Sequence, residues 1–218
     1  MGVIHLPVIV AVVIAYVVGS IPSAYLAGKW YGVDLRQCGS GNLGATNVVR
    51  VLGVRIGAAV FIIDTLKGFL PVFYLPALTG TPHIELVSLT IGAAAILGHV
   101  RPVFLLGQKG GKGVATAGGV FLGVAWLPAV IAMAVWTVVF ATSRYVSVAS
   151  LSAAVALPFA FIFTGSDLSD PYFIASIIVA LFVFFTHRAN IGRLRRGEEH
   201  RFARRRPSSS GQQPPRVA

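Results

Sequence analysis

Apolar residues along this chain are gathered into seven long blocks that short polar stretches separate. The blocks are Leu6 to Ala27, Ile56 to Leu78, Leu86 to Leu106, Val114 to Leu127, Ala129 to Thr142, Val146 to Thr164 and Tyr172 to Thr186. A helix needs about 20 apolar residues to cross a bilayer. The pattern therefore predicts an all-α integral membrane protein with seven transmembrane helices, of which the fourth and fifth are short and tilt or thin the bilayer. Pro128 is expected to form a tight turn between those two, because a residue that precedes proline avoids the helical conformation.

Composition and charge agree with this interpretation and give the helices an orientation. Hydrophobic residues make up 56% of the chain and charged residues 11%, whereas about a quarter of a soluble domain is charged. Lysine and arginine occur in alternate gaps between the blocks and are absent from three gaps, around Gly80 to Glu85, Trp126 to Pro128 and Gly165 to Pro171. Basic gaps face the cytoplasm, so the N-terminus is predicted outside and the C-terminus inside.

The net charge of +11 follows from this cytoplasmic bias together with a basic C-terminal stretch. The basic residues are spread over several loops, and nucleic-acid binding would require them on one folded face. Two regions are predicted: a seven-helix membrane domain over residues 1–192 and a basic, largely disordered cytoplasmic tail over residues 193–218. Asp64 and Lys67 lie within an apolar block at i, i+3 spacing, which predicts that they pair inside the membrane.

Two glycine-rich loops imitate nucleotide-binding motifs. The stretch "CGSGNLGATN" contains G-x-G-x-x-G at Gly39, Gly41 and Gly44, but a Rossmann loop follows a β-strand and this one follows an apolar block. The stretch "GQKGGKGVAT" resembles a P-loop, but it has too few residues between its glycines, and Gly113 follows Lys112 where a serine or threonine must bind magnesium. Both nucleotide motifs are therefore rejected.

The two loops share a feature that points to phosphate. Glycines let backbone N–H groups turn inward and form nests that bind phosphate. Helix packing in lipid also uses glycine, but it does not explain the polar residues concentrated here, which are Ser40, Asn42, Thr46, Asn47, Lys109 and Lys112. Two further cytoplasmic clusters, "TSRYVS" and "THRANIGRLRRGEE", combine hydroxyl or amide groups with arginine at the end of an apolar block, and we expect them to face the glycine loops.

Five stretches occur in an order that resembles a known family. They are "GSIPSAYL", "GSGNLGATNVVR", "GHVRPVFLLGQKGGKGVAT", "TSRYVSVASL" and "HRANIGRLRRGEE". Over residues 9–199 they are similar to the bacterial acyl-phosphate:glycerol-3-phosphate acyltransferase family of the PlsY type. The resemblance implies a seven-helix inner-membrane enzyme whose active site opens to the cytoplasm. It would transfer a fatty acyl group from acyl phosphate to the 1-hydroxyl of glycerol 3-phosphate, the first acylation of phospholipid synthesis, and release lysophosphatidic acid and phosphate.

The resemblance also implies roles for individual residues. The catalytic residues it implies are Ser40, Arg50, Lys109, Arg144, His187 and Asn190. The substrate-binding residues it implies are Gly39, Gly41, Asn42, Gly44, Thr46, Asn47, Gly110, Gly111, Lys112, Gly113 and Ser143. It implies no cofactor, no metal and no nucleic-acid partner; the two substrates and membrane lipids are the partners. Which loop holds which phosphate stays open, as does the oligomeric state.

One alternative concerns the proton acceptor and another concerns the function as a whole. His187 is the best side-chain candidate for a general base, since an imidazole titrates near neutral pH, but a substrate phosphate is an equally good proton acceptor. A transporter of organic anions would also use intramembrane charges such as Asp64 and Lys67. Transporter sites lie near the bilayer midplane and accompany internal repeats, whereas these clusters all occupy one face and no repeat is apparent.

Overall fold

The chain folds into α-helices wherever the structure describes it. The structure is a computed structural model that describes residues 5–202, and within that range it contains no β-strand. The helices are α1 (Val8–Gly19), α2 (Ser23–Trp30), α3 (Ala45–Leu52), α4 (Val54–Leu78), α5 (Ile84–Val100), α6 (Val114–Val124), α7 (Trp126–Ser143), α8 (Val146–Phe163), α9 (Pro171–Thr186) and α10 (Arg188–Arg195). The predicted all-α class is thus confirmed for the described residues.

Several of these helices have the length and composition of membrane spans. Five segments qualify by themselves: the α1–α2 pair, α4, α5 with the 3₁₀ turn that follows it, α7 and α8. The pair α9 and α10 qualifies as a sixth if it is counted as one span bent by 58°. Helix α6 is apolar but has only 11 residues.

The break between the fourth and fifth apolar blocks lies earlier than the sequence predicted. Helix α6 ends at Val124 and α7 begins at Trp126, so Ala125 forms the break. Pro128 lies in the first turn of α7. The N–H groups of the first turn have no acceptor within their own helix. Proline has no N–H, so its presence there removes no helical hydrogen bond. The predicted turn at Pro128 was wrong for this reason.

Small residues let the helices approach closely around the glycine loops. A Cβ placed on Gly68 of α4 would lie 2.1 Å from the Thr116 carbonyl oxygen of α6, and one on Gly119 would lie 2.0 Å from the Thr65 carbonyl oxygen of α4. Only glycine permits such a backbone contact, which is the usual device of helix pairs in lipid. The α4–α6 contact fixes the start of α6, where the second glycine loop ends.

A buried ion pair joins three of the helices. Asp64 of α4 is 1% exposed; Lys67 Nζ lies 2.7 Å from its Oδ1, and the Ser23 hydroxyl of α2 donates to the same oxygen at 2.6 Å. Lys67 also donates to the Ile21 carbonyl oxygen at 2.9 Å. That carbonyl lies at the α1–α2 break and also accepts from the Ser23 N–H at 3.0 Å, so Lys67 supports the backbone where the two helices meet. His99 Nδ1 of α5 lies 3.6 Å from Asp64 Oδ1, and the predicted pairing of Asp64 with Lys67 is confirmed.

The predicted boundary between membrane domain and tail, at residue 193, falls within α10. Residues 199–202 continue to contact the helices, and Glu199 is buried. The remainder of the predicted tail, residues 203–218, lies outside the described residues.

The variant Asp64→Asn tests the buried pair. It removes the carboxylate that neutralises Lys67, and breaking a buried pair from one side costs about 3–5 kcal/mol. We therefore expect a marked fall in the apparent unfolding temperature in detergent, with partial recovery when Lys67→Met is added. Asp34→Asn is the matched control, because Asp34 and Arg36 form an exposed pair. An unchanged unfolding temperature in Asp64→Asn would contradict the structural role.

Candidate active site

The first glycine loop takes its shape from Asn47. This buried side chain accepts a hydrogen bond from the Ser40 N–H at 2.8 Å and donates to the Leu35 and Cys38 carbonyl oxygens, both at 3.0 Å. A Cβ on Gly39 would lie 2.3 Å from Asn47 Oδ1, and Gly39 has a φ of +61°. Asn47 was predicted to bind substrate; in the structure its polar atoms contact the loop's own backbone. Asn47 therefore shapes the loop in which Ser40 lies.

The loop continues into α3. Gly44 precedes the first residue of this helix, and a Cβ on Gly44 would lie 2.9 Å from the Asn42 amide nitrogen. Thr46 is in the first turn of α3, and Arg50 follows one turn later, both half-buried. Residues four apart share a helix face, so a hydroxyl and a guanidinium stand one above the other beside the loop. The arrangement combines free helix N–H groups with positive charge, as an anion site requires.

The second glycine loop lies against the first. A Cβ on Gly111 would lie 2.8 Å from the Leu43 carbonyl oxygen of the first loop and 2.2 Å from His99 Nε2. A Cβ on Gly110 would lie 2.0 Å from the His99 carbonyl oxygen. The Arg36 guanidinium also donates to Gln108 Oε1 at 2.6 Å across the two loops. The two glycine loops therefore form one surface, which the sequence did not reveal.

The two lysines of the second loop have different surroundings. Lys109 is exposed, whereas Lys112 is partly buried and donates from Nζ to Asn190 Oδ1 of α10. The Thr186 hydroxyl also donates to the Lys112 carbonyl oxygen at 3.3 Å. Burial lowers the pKa of Lys112 to about 8. The structure thus joins Lys112, and not Lys109, to the cluster at the end of α9. Gly113, with a φ of +83°, turns the chain from this lysine into α6.

His187 stands at the bend between α9 and α10 and is 3% exposed. Its Nδ1 lies 2.9 Å from the Val183 carbonyl oxygen, an acceptor, so Nδ1 carries a proton and donates it to that bond. In the neutral ring Nε2 is then the nitrogen with a free lone pair.

Asn190 links Lys112 to a buried carboxylate. Its Nδ2 donates to Glu199 Oε1 at 2.7 Å, and Arg193 Nε donates to Glu199 Oε2 at 2.8 Å. Burial raises the pKa of Glu199, but the hydrogen bonds from Asn190 and Arg193 outweigh that effect and hold the pKa below its usual value. Glu199 is therefore an anion that fixes the orientation of Asn190, and the sequence had assigned it to the tail.

The third cluster surrounds the end of α7. Arg144 has a left-handed conformation with a φ of +63°, and the Tyr145 N–H donates to the Ser143 hydroxyl at 3.2 Å. The Ser143 carbonyl oxygen accepts from Arg201 Nε at 3.1 Å, and the Arg144 carbonyl oxygen accepts from the Phe202 N–H at 3.0 Å. Residues 199–202 thus connect the third cluster to the fourth.

An apolar groove runs between α6, α7, α8 and α9 and has an empty volume of about 590 Å³, its open side included. Its wall contains small residues such as Ala117, Gly118 and Ala154. Val114, directly after the second loop, and Val183, one turn before His187, both line it. One part of the groove therefore borders the polar clusters.

Among residues 5–202, no group of three or more histidine, cysteine, aspartate or glutamate side chains is placed to hold a metal ion. The cationic and amide groups described above instead suit an anionic, phosphate-bearing ligand.

Comparison with known proteins gives consistent results. A family model described as glycerol-3-phosphate acyltransferase matches residues 9–197. Proteins named glycerol-3-phosphate acyltransferase include one from Geobacter sulfurreducens, 46% identical over 87% of this chain and 94% of its own length. Another, from Aquifex aeolicus, is 46% identical over 88% of this chain and 97% of its own length.

Solved structures point the same way. The chain is similar to the crystal structure of PlsY, an integral membrane glycerol 3-phosphate acyltransferase, in its glycerol 3-phosphate form, with a TM-score of 0.81 and 40% identity. That match covers 90% of this chain and 96% of the other. The lysophosphatidic acid form of PlsY matches with a TM-score of 0.79 and 39% identity over 90% of this chain and 95% of the other.

The variant Gly111→Ala tests the contact between the two loops. The added Cβ would collide with the His99 ring and the Leu43 carbonyl, so the second loop must move. A displacement of about 1 Å costs about 100-fold in rate, and we expect that loss in the conversion of labelled glycerol 3-phosphate to lipid. Gly192→Ala is the matched control, since its Cβ would meet only the end of Arg196 at 3.4 Å. A wild-type rate in Gly111→Ala would show that the close packing is unimportant.

Proposed function

The chain belongs to the glycerol-3-phosphate acyltransferase family, and from this premise we propose that it transfers a fatty acyl group from acyl phosphate to the 1-hydroxyl of glycerol 3-phosphate. The products are lysophosphatidic acid and inorganic phosphate. The observation that carries the proposal is the contact between two glycine loops beside an apolar groove. This arrangement supplies places for two phosphates and one acyl chain, which are the parts of these two substrates.

Acyl phosphate suits this site because it is a mixed anhydride with a good leaving group. Its carbonyl needs little activation, so alignment of the hydroxyl with the carbonyl and stabilisation of the developing negative charge supply most of the catalysis. The hydroxyl oxygen forms the new bond to the acyl carbon, and the bond from that carbon to the phosphate oxygen breaks. The existence of a lysophosphatidic acid form of PlsY among the similar structures supports this product.

The residues fall into three groups in the proposed site. Ser40, Thr46 and Arg50 bind one phosphate together with backbone N–H groups of the first loop. The residues that maintain the shape of this loop are Gly39, Gly41, Asn42, Gly44 and Asn47. Lys109 and Lys112 serve the other phosphate with the backbone of Gly110, Gly111 and Gly113. Ser143, Arg144, His187 and Asn190 complete the glycerol phosphate pocket.

The attacking hydroxyl must lose its proton, and we assign the acceptor to a substrate phosphate oxygen. Asp64 and Glu199, the buried carboxylates, already accept hydrogen bonds from lysine, arginine, serine or asparagine. His187 uses Nδ1 to bond the Val183 carbonyl, and its Nε2 then orients the substrate by accepting a hydrogen bond. The proton is thus passed within the bound substrates.

For the membrane arrangement we propose seven spans in the bacterial inner membrane, with the N-terminus outside and the active site facing the cytoplasm. Helix α6 is the short span, and the α9–α10 pair ends at the cytoplasmic surface. The distribution of lysine and arginine supports this orientation.

The first experiment supplies glycerol 3-phosphate to the purified protein with one acyl donor at a time. We expect lysophosphatidic acid and phosphate from acyl phosphate, and neither product from acyl-CoA or acyl carrier protein, because only acyl phosphate carries its phosphate directly on the acyl carbon, next to the reacting carbonyl; the other two donors are thioesters. Mass spectrometry and phosphate release measure the outcome. Product from another donor would overturn the donor assignment, and uptake of glycerol 3-phosphate into liposomes without any product would favour transport.

The variant Gly118→Leu tests the groove. No atom lies within 4 Å of a Cβ at Gly118, so the side chain enters the groove without a clash at Cβ and displaces several methylene positions, each worth about 0.8 kcal/mol when buried. We expect kcat/KM for palmitoyl phosphate to fall about tenfold or more relative to octanoyl phosphate. Gly118→Ala should have a much smaller effect. An unchanged ratio in Gly118→Leu would mean that the acyl chain binds elsewhere.

A further inference from the structure

Residues Glu199–Phe202 form a short strap that crosses the cytoplasmic end of the bundle after α10. The strap lies beyond residues 9–197, the range that the family model matches, and of its residues only Glu199 belongs to the stretches that carry the family resemblance. It nevertheless contacts three of the four polar clusters that make up the proposed site. Its function must therefore be inferred from the contacts it makes in this chain.

The strap is anchored at its beginning by Glu199. This carboxylate is buried and receives hydrogen bonds from Asn190 and Arg193 of α10. The next residue presents its backbone to α3: the His200 carbonyl oxygen accepts from Arg50 Nη2 at 3.2 Å. The strap therefore contacts the Arg50 guanidinium, a proposed phosphate-binding group, through a backbone oxygen.

The end of the strap holds the same guanidinium from a second direction. Arg50 Cζ lies 5.1 Å from the centroid of the Phe202 ring, within the range of a cation–π contact. The Phe202 ring is fixed in turn by an edge-to-face contact with Phe140 of α7, at a centroid distance of 5.6 Å. Arg50 therefore lies between a carbonyl oxygen and an aromatic face that both belong to the strap.

The strap also supports the backbone at Arg144. The last carbonyl groups of a helix lack partners within the helix, and the strap supplies donors at the end of α7: Arg201 Nε to the Ser143 oxygen and the Phe202 N–H to the Arg144 oxygen. Arg144 has a left-handed backbone that a non-glycine residue keeps only when its surroundings hold it. The hydrogen bond from Phe202 is one of those constraints.

We propose that Phe202 is a positioning residue, whose ring directs the Arg50 guanidinium towards the phosphate of glycerol 3-phosphate. The inference rests on the proposed function for the identity of that ligand. Phe202 does not touch the reacting atoms in this account. Its loss should weaken binding of the phosphate-bearing acceptor and leave use of the acyl donor unaltered.

The test compares Phe202→Ala, Phe202→Leu and Phe202→Tyr in the full chain. In Phe202→Ala we expect KM for glycerol 3-phosphate to rise about tenfold, while KM for acyl phosphate and the apparent unfolding temperature stay at wild-type values. Phe202→Tyr keeps the aromatic face and should restore the low KM; Phe202→Leu keeps the bulk alone and should not. Phe163→Ala is the matched control, because Phe163 is an exposed aromatic residue at the end of α8.

A binding measurement separates this inference from the proposed function. Calorimetric titration with glycerol 3-phosphate should show about tenfold weaker binding in Phe202→Ala, whether or not the wild type transfers acyl groups. In an Arg50→Gln background the same substitution should weaken binding much less, because contacts that act through one residue are not additive. Wild-type affinity in Phe202→Ala, or an equal loss in both backgrounds, would overturn the role assigned to Phe202.

Discussion

The structure depends on one anion held in an apolar interior, the Asp64 carboxylate. A charge inside a membrane is costly unless partners surround it, and here Lys67 and Ser23 supply them. These partners come from the same turn of α4 and from α2, and His99 of α5 stands beside them. The His99 ring also packs directly against Gly111 of the second glycine loop. The buried Asp64–Lys67 pair therefore positions this loop through His99, although neither Asp64 nor Lys67 is among the proposed phosphate contacts.

Much of the fold was predictable because its causes are local. Apolar blocks predict membrane helices, and i, i+3 spacing predicts that Asp64 and Lys67 pair. The break at Ala125 was not predictable from the proline rule, because Pro128 loses nothing in the first turn of a helix. Helices α3 and α10 were also missed: each has only eight residues and lies in a polar stretch, so neither has a long apolar signal.

The site was predictable as a set of clusters but not in its internal contacts. Glycines and polar residues identified the loops, yet nothing local distinguishes Lys112, which bonds Asn190, from Lys109, which is exposed. Glu199 and Phe202 were assigned to a tail because their neighbours are charged and polar. Glu199 bonds Asn190 and Arg193 of the adjacent α10. The partners of Phe202, which are Arg50 and the Arg144 carbonyl, are distant in the sequence, and only the folded chain brings them together.

The shortness of α6 has a consequence for where the reaction occurs. Its 11 residues span about 16 Å at 1.5 Å per residue, roughly half of the hydrocarbon thickness of about 30 Å. In the proposed seven-span arrangement, with the Ala125 break near the outer face, α6 is too short to reach the opposite face, so the glycine loop that begins it lies deeper than the lipid headgroups. The enzyme is in that case an interfacial catalyst, whose rate follows the mole fraction of the donor in the surrounding leaflet and not its concentration in bulk solution.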